Sequence, residues 1–238
     1  MQVTTTEIRP GQSVELLKEL HILTRDGKMN QDSRRKLKQV NHLFQFIEPL
    51  LEELRADHAD ISLADHGAGK YYLGFILYDL FCKDRAPAAR LHGIETRVDL
   101  VTALHACDTA TDDAIRFALA KQASFIVLVP CCQAEVAATL RRHKGRALAN
   151  PLTEIWRHAI HTREFGSHVT NVLRCLQLEA HGYQVGVTEL VGWEHSLKNE
   201  LIIARYQNLP RRRAAERLNE LLGMLGLEEL RHRFFVQP

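Results

Sequence analysis

The sequence of 238 residues predicts an α/β fold in which helices cover both faces of a mostly parallel β-sheet. Apolar runs typical of strands alternate along the chain with segments that have the three- and four-residue spacing of amphipathic helices. The run at 125–129 is unbroken and rich in β-branched residues, as expected of a strand buried on both faces. Two consecutive strand-like runs late in the chain add an antiparallel terminal pair.

The composition is that of a globular protein, with 45% hydrophobic and 25% charged residues and a net charge of +2. It excludes disordered and collagen-like chains, and no apolar run approaches the roughly 18 residues of a membrane span. The five cysteines have no regular spacing, which is typical of a reducing compartment. The first residues lack the features of a signal peptide. We therefore expect a cytoplasmic protein that does not bind membranes.

The elements follow from the apolar spacing. A helix at 40–54, capped by Asp32 or Ser33, precedes a short strand at 61–64, a glycine turn and a helix that ends near residue 81. Thr109 or Thr111 is expected to cap a helix at 111–121. Further strands are expected at 91–94, 98–104, 125–129, 183–191 and 201–206, and further helices at 134–142, 151–180 and 211–230. We treat residues 33–238 as one domain after an N-terminal extension, 1–32, since no repeat or linker divides them.

A glycine turn follows the first strand, in the sequence Ala64-Asp65-His66-Gly67-Ala68-Gly69-Lys70. Glycine lets the backbone turn tightly and approach a ligand, and the N–H groups that open the next helix face that ligand. Glu95 ends the next predicted strand, where an acidic side chain can accept hydrogen bonds from ribose hydroxyls. The alternative is an ordinary tight turn with a surface glutamate.

Four motifs together resemble one branch of the class I S-adenosylmethionine (SAM) methyltransferases. They are Asp65-x-Gly67-x-Gly69-Lys70, Gly93-Ile94-Glu95, His105-Ala106-Cys107 with the Asp-Thr-Ala-Thr-Asp that follows, and Pro130-Cys131-Cys132. The branch contains the eukaryotic methyltransferase-like proteins and is similar to a tRNA ribose methyltransferase family. The resemblance covers roughly residues 28–206 and implies a Rossmann-like sheet, SAM as the cofactor and methyl transfer as the activity.

The resemblance also implies roles for the motif residues. The first motif would line the methionine part of SAM, Glu95 would hold its ribose, and His105 and Cys107 would lie beside the adenine and the methyl group. The complete set of implied cofactor-binding residues is Asp65, Gly67, Gly69, Lys70, Glu95, His105 and Cys107.

Catalysis needs an acceptor held in line with the methyl group and, for an oxygen or nitrogen acceptor, a place for its proton. Holding the acceptor in the correct position can be sufficient for catalysis. If a base is required, His105 is the first candidate, because imidazole titrates near neutral pH, and Glu194 is the second. Glu194 belongs to the connection 192–200, together with Trp193, His195, Lys198 and Asn199. This connection borders the site if strand 183–191 is parallel to the central strands, and is otherwise an ordinary polar hairpin loop.

A metal site is an alternative use of His105, Cys107, Cys131 and Cys132, which follow neighbouring strands. The paired CxxC spacing of structural zinc sites is missing, so we assign no metal ligands. The same side chains can line the cofactor or substrate, or can be buried packing residues.

Three basic runs suggest RNA, either tRNA or rRNA, as the partner and methyl acceptor. They are Arg34-Arg35-Lys36 with Lys38, Arg141-Arg142-His143-Lys144 with Arg146, and Arg211-Arg212-Arg213. Such runs are also typical of solvated helix faces. The sequence thus predicts a SAM-dependent methyltransferase that modifies RNA. The alternative is a noncatalytic RNA-binding or scaffold protein with a degenerate methyltransferase fold.

The spacing between Glu95 and Val98 conflicts with a complete fold of this kind. Two parallel neighbouring strands need a connection of about a dozen residues or more, and two residues cannot provide it. In the resembling family a helix, a strand and a second helix lie at this point. We therefore predict that the chain lacks the segment between strands 2 and 4, and with it an edge strand and one wall of the adenine pocket.

Overall fold

The computed structural model describes residues 8–57, 61–66, 72–83, 97–104, 106–130, 133–142, 151–190, 200–209 and 211–234. Within these ranges five strands form one sheet, in the order β1-β2-β3-β5-β4. The strands are β1 (Leu63–Asp65), β2 (Leu100–Leu104), β3 (Phe125–Val129), β4 (Tyr183–Glu189) and β5 (Glu200–Tyr206). The first three are mutually parallel, whereas β5 is antiparallel to both β3 and β4. The predicted antiparallel terminal pair is therefore confirmed.

The central strand β3 shows why this sheet has two covered faces. All five of its residues are buried, as the unbroken apolar run predicts. Phe125, Val127 and Val129 face one apolar cluster, and Ile126 and Leu128 face the other. Because alternate side chains of a strand point to opposite faces, helices must pack on both sides.

The first face is covered by α1 (Val14–Glu19), α2 (Gln31–Asp57) and α3 (Tyr72–Leu77), which continues as a π-helical turn at Tyr78–Cys82. Apolar residues at three- and four-residue steps bury one side of α2. The predicted caps of this helix are wrong: α2 begins earlier, and Asn30 accepts the Ser33 backbone N–H at 2.7 Å. Leu17 and Ile22, from the predicted N-terminal extension, belong to the same core cluster.

The second face is covered by α4 (Thr109–Lys121) and α6 (Ala159–Ala180). Outside them a third apolar cluster joins α6 to α5 (Glu135–Arg142), α7 (Arg212–Met224) and α8 (Arg231–Phe234). The threonine caps expected for α4 are wrong, because both residues lie inside the helix and Asp108 precedes it. The Thr111 hydroxyl instead donates to the carbonyl of Ala106 at 2.6 Å.

The first strand lies at one edge of the described sheet. In the described ranges β1 pairs only with β2, through Ala64 opposite Val101. The predicted strand at 91–94 and the residue Glu95 lie outside these ranges, so the missing segment stays a prediction. None of the described helices combines the length and apolarity that a bilayer crossing needs.

Candidate functional site at the carboxyl edge of the sheet

The strands β1, β2 and β3 end at the same edge of the sheet, which we call the carboxyl edge. Because β5 runs against β3, its first residue, Glu200, lies at this edge, as does Glu189 at the end of β4. Ligands of open α/β sheets bind beyond this edge. The condition under which the connection 192–200 borders the site is therefore met. Residues 191–199, including Trp193, Glu194, His195, Lys198 and Asn199, lie outside the described ranges.

Asp65 ends β1 with its carboxylate half-buried between the sheet and α3. Its Oδ1 accepts the Thr102 hydroxyl of β2 at 2.8 Å, and its Oδ2 accepts the Gly74 backbone N–H of α3 at 3.1 Å. A Cβ on Gly74 would lie only 3.3 Å from that oxygen, so glycine allows the helix to approach the carboxylate closely. Burial raises the pKa of Asp65, and the two hydrogen bonds oppose part of that rise.

The Asp65 carboxylate has the chemistry needed for the methionine end of SAM, the contact that the family resemblance implies for it. A carboxylate offers about four acceptor positions, and residues in the described ranges occupy two of them. The remaining positions can accept N–H groups from a bound ammonium. Gly67, Gly69, Lys70 and Glu95 lie outside the described ranges, so their cofactor contacts stay predictions.

His66 is a site residue that the sequence analysis left without a role. Its backbone N–H donates to the Thr102 carbonyl at 2.7 Å, and its ring packs against Phe117 with the ring centroids 4.7 Å apart. Burial lowers the pKa of His66, so the neutral imidazole prevails near neutral pH. The signal in the sequence was its place between the acidic residue and the glycines of the turn.

The loop after β2 is held by Asp108. This residue has φ +49° and ψ −121°, and its Oδ1 accepts the backbone N–H groups of Ala134 and Glu135 at 2.9 and 3.3 Å. Asp108 thus caps α5 and joins the loops that follow β2 and β3. Cys107, implied to lie near the cofactor, is exposed in this fixed loop.

The neighbouring motif residues His105, Cys131 and Cys132 lie outside the described ranges. No group of three or more metal-type ligands occurs in the part of the chain that the structure describes. The metal alternative is therefore still untested.

A buried arginine connects α6 with this loop. Arg174 is fully buried and binds both carboxylate oxygens of Asp112, at 2.8 Å each. It also donates to the Asp108 carbonyl at 2.9 Å and to the Asn171 side-chain oxygen at 3.3 Å. This pair could not be predicted from the sequence because its members are 62 positions apart. The available signal was an arginine among the apolar positions of α6.

A cavity of about 560 Å³ lies between α1 and the beginning of α2. It is lined by residues such as Lys18, His21 and Ser33, and by none of the residues described at the carboxyl edge. It is therefore separate from the candidate site.

Comparison with known proteins identifies a family model. Residues 35–101 and 94–139 match the model of a methyltransferase domain. The two segments overlap at 94–101 and together cover less than half of the chain. No curated protein and no solved structure matches the chain significantly. The match supports a methyltransferase.

Proposed function

We propose that the protein is a SAM-dependent methyltransferase that acts on RNA, with the cofactor at the carboxyl edge of β1 and β2. The observation that carries the proposal is Asp65. It lies within a segment that matches the methyltransferase model, at the end of β1, and is held by β2 and by α3. A strand and a helix that meet at one carboxylate at this edge are typical of nucleotide-binding α/β folds.

Different residues of the chain would bind the cofactor and fix the neighbouring loop. Asp65 would hold the methionine end of the cofactor, and Asp108 would keep the loop with Cys107 against α5. SAM, when bound, supplies a methyl group on an activated sulfonium. The protein then has to orient the acceptor and exclude water, which is chiefly a matter of fixed geometry.

Methyl transfer is the direct test of this proposal. The purified protein is incubated with methyl-labelled SAM and a pool of unmodified tRNA and rRNA transcripts. We expect label in RNA, and loss of that label when Asp65 is changed to asparagine. A protein that labels no RNA would not be an RNA methyltransferase.

The noncatalytic alternative is favoured by one observation. The family match is divided at residues 94–101, where the sequence predicts a missing segment. A chain without that segment would lack a wall of the adenine pocket and would bind SAM weakly or not at all. In that case RNA binding without methyl transfer is the expected activity.

A further inference from the structure

The side chain of Asn171 has only one possible orientation. Its Oδ1 accepts from Arg174 Nη1 at 3.3 Å and from Gln133 Nε2 at 3.2 Å. Since a guanidinium only donates, the atom that faces Arg174 must be the oxygen. The Asn171 amide nitrogen therefore points the other way, and it donates to Glu200 Oε2 at 2.8 Å.

Glu200 is consequently a carboxylate with one oxygen fixed and the other available. Its Oε2 is held by Asn171, which Arg174 and Asp112 hold in turn. Glu200 is half-buried, and among the described residues it makes no ion pair and no second hydrogen bond. The protein thus holds the side chain of Glu200 in place through one oxygen, and the other oxygen can accept a hydrogen bond from a ligand.

The surroundings of Glu200 give its second oxygen no protein cation in the described ranges. Glu189 lies directly opposite on β4, so two negative side chains are paired across the strands. Like charges in this position are destabilising. A hydrogen-bond donor or cation supplied by a ligand would relieve that cost.

The position suits the methyl acceptor rather than the cofactor. The register of β3 and β5 places Glu200 level with Pro130, just beyond the end of β3. Neighbouring strands are about 4.8 Å apart, so β5 is roughly 10 Å from β2 and roughly 15 Å from β1. The cofactor is proposed beside β1 and β2, and an acceptor must approach its methyl group from another side.

We propose that Glu200 binds the methyl acceptor by accepting a hydrogen bond from an N–H or O–H group through Oε1. This inference rests on the proposed function for the identity of the ligand. Nucleobase amines, ring imides and ribose hydroxyls all belong to that chemical class. The residue is additional to Glu194, which the sequence analysis named in the adjoining connection.

Glu200→Gln tests the inference sharply because the fixed amide of Asn171 dictates how glutamine must lie. Its oxygen has to face Asn171 Nδ2, so its NH₂ group faces the methyl acceptor. Two donors then meet where the acceptor presents an amine or imide N–H, whereas a hydroxyl can turn and accept. We expect affinity for a tRNA transcript, and the rate of methyl transfer to it, to fall about 10- to 100-fold. SAM affinity and the melting temperature should stay close to those of the parent protein.

Glu189→Gln is the matched control. It removes the same charge from the opposite position, and Glu189 is exposed without a hydrogen bond or ion pair among the described residues. Loss of a negative charge alone should leave RNA affinity unchanged or slightly higher in both variants. A fall in Glu200→Gln but not in Glu189→Gln supports the proposal, and equal behaviour of the two variants overturns it.

The two proposals fail in different ways. If the parent protein binds the transcript without methylating it, the proposed function fails, while the two affinities still decide the role of Glu200. If the parent neither binds nor methylates the transcript, both proposals are wrong.

Discussion

At the scale of single residues, the proposed cofactor site depends most on Asp65, because keeping its carboxylate ionised in the fold costs folding free energy. Burial raises the pKa of Asp65 above its unfolded value. A carboxyl group of this kind stabilises the folded state most below its unfolded pKa, and that contribution is lost as the pH rises through the folded pKa. At neutral pH the ionised side chain therefore opposes folding. A group maintained in that state is a candidate for function.

Asp65→Asn separates function from stability. The amide keeps an oxygen for the Gly74 N–H and turns its NH₂ group toward the Thr102 hydroxyl, which can accept. We expect the stability of the variant relative to the parent to improve as the pH rises from about 4 to about 8, while SAM binding is lost. Thermal melts across this range and calorimetry measure the two effects. A variant that loses stability most at high pH would refute the assignment.

At the level of single residues, the sequence predicts the features whose members are close together in the chain. Asp65 could be found because a strand, an acidic residue and glycines are contiguous in the chain. Arg174, Asn171 and Glu200 could not, because their network joins positions far apart in the chain. A hydrogen-bond partner of that kind can be identified only when the positions of the helices in the fold are known.

At the scale of elements, α5 and α6 cross at a point where only glycine fits. A Cβ built on Gly166 would lie 2.7 Å from the Cβ of Ala137 and 2.8 Å from its backbone. Because backbone atoms cannot yield as a flexible side chain does, the two helices would have to move apart. The helix α5, which Asp108 caps, would then move relative to the loop after β2.

Gly166→Ala should therefore lower the free energy of unfolding by about 1–3 kcal/mol. Gly223→Ala in α7 is the control, since its Cβ would meet the nearest atom at an ordinary 3.9 Å. That substitution should stabilise the protein by about 0.5–1 kcal/mol through helix propensity. Denaturant unfolding measures both. Equal effects of the two substitutions would contradict the close helix contact.

The extents of the elements show where the apolar pattern succeeds. The limits of β3 agree with the prediction because a short run rich in β-branched residues lies between Ser124 and Pro130, which end the apolar pattern on both sides. The caps differ because Asn30 caps α2 about two turns before Leu37, its first buried apolar residue, and because Asp108 caps a different helix from the one it precedes. Neither contact can be recognised from the spacing of the apolar residues.

At the scale of the whole molecule, the first and the third basic runs lie at the beginnings of two different helices, α2 and α7. The Glu53–Arg205 ion pair places the end of α2 at the edge opposite the candidate site. Since α2 is about 40 Å long and the strands only about 17 Å, a helix that runs back along the sheet from this point extends past the carboxyl edge. The backbone N–H of Arg211 instead donates to the Glu179 carbonyl at the end of α6, at the edge of the sheet opposite the carboxyl edge.

Two triple substitutions test which side meets RNA. The first removes three exposed cations of α2, and the second removes three exposed cations at the beginning of α7. The first set is Arg35→Gln, Lys36→Gln and Lys38→Gln, and the second is Arg211→Gln, Arg212→Gln and Arg213→Gln. Each set loses the same charge and contains one cation paired within its helix, to Asp32 or Glu216.

We expect the α2 set to weaken binding to a tRNA transcript and to lower the dependence of its affinity on salt by about 2 to 3 in slope. The α7 set should leave both nearly unchanged. Binding measured across a series of salt concentrations decides this. Equal losses in the two sets would show that RNA is not delivered preferentially to the carboxyl edge.

Calorimetric titration of the protein with SAM measures whether the cofactor binds at the carboxyl edge beside Asp65. We predict saturable binding of one SAM per chain, with an affinity that is reduced if the segment predicted to be missing is absent, but that is still measurable. Asp65→Asn should abolish it, and Glu189→Gln should leave it intact. The absence of binding to the parent protein at millimolar SAM, or equal binding to Asp65→Asn, would contradict the account.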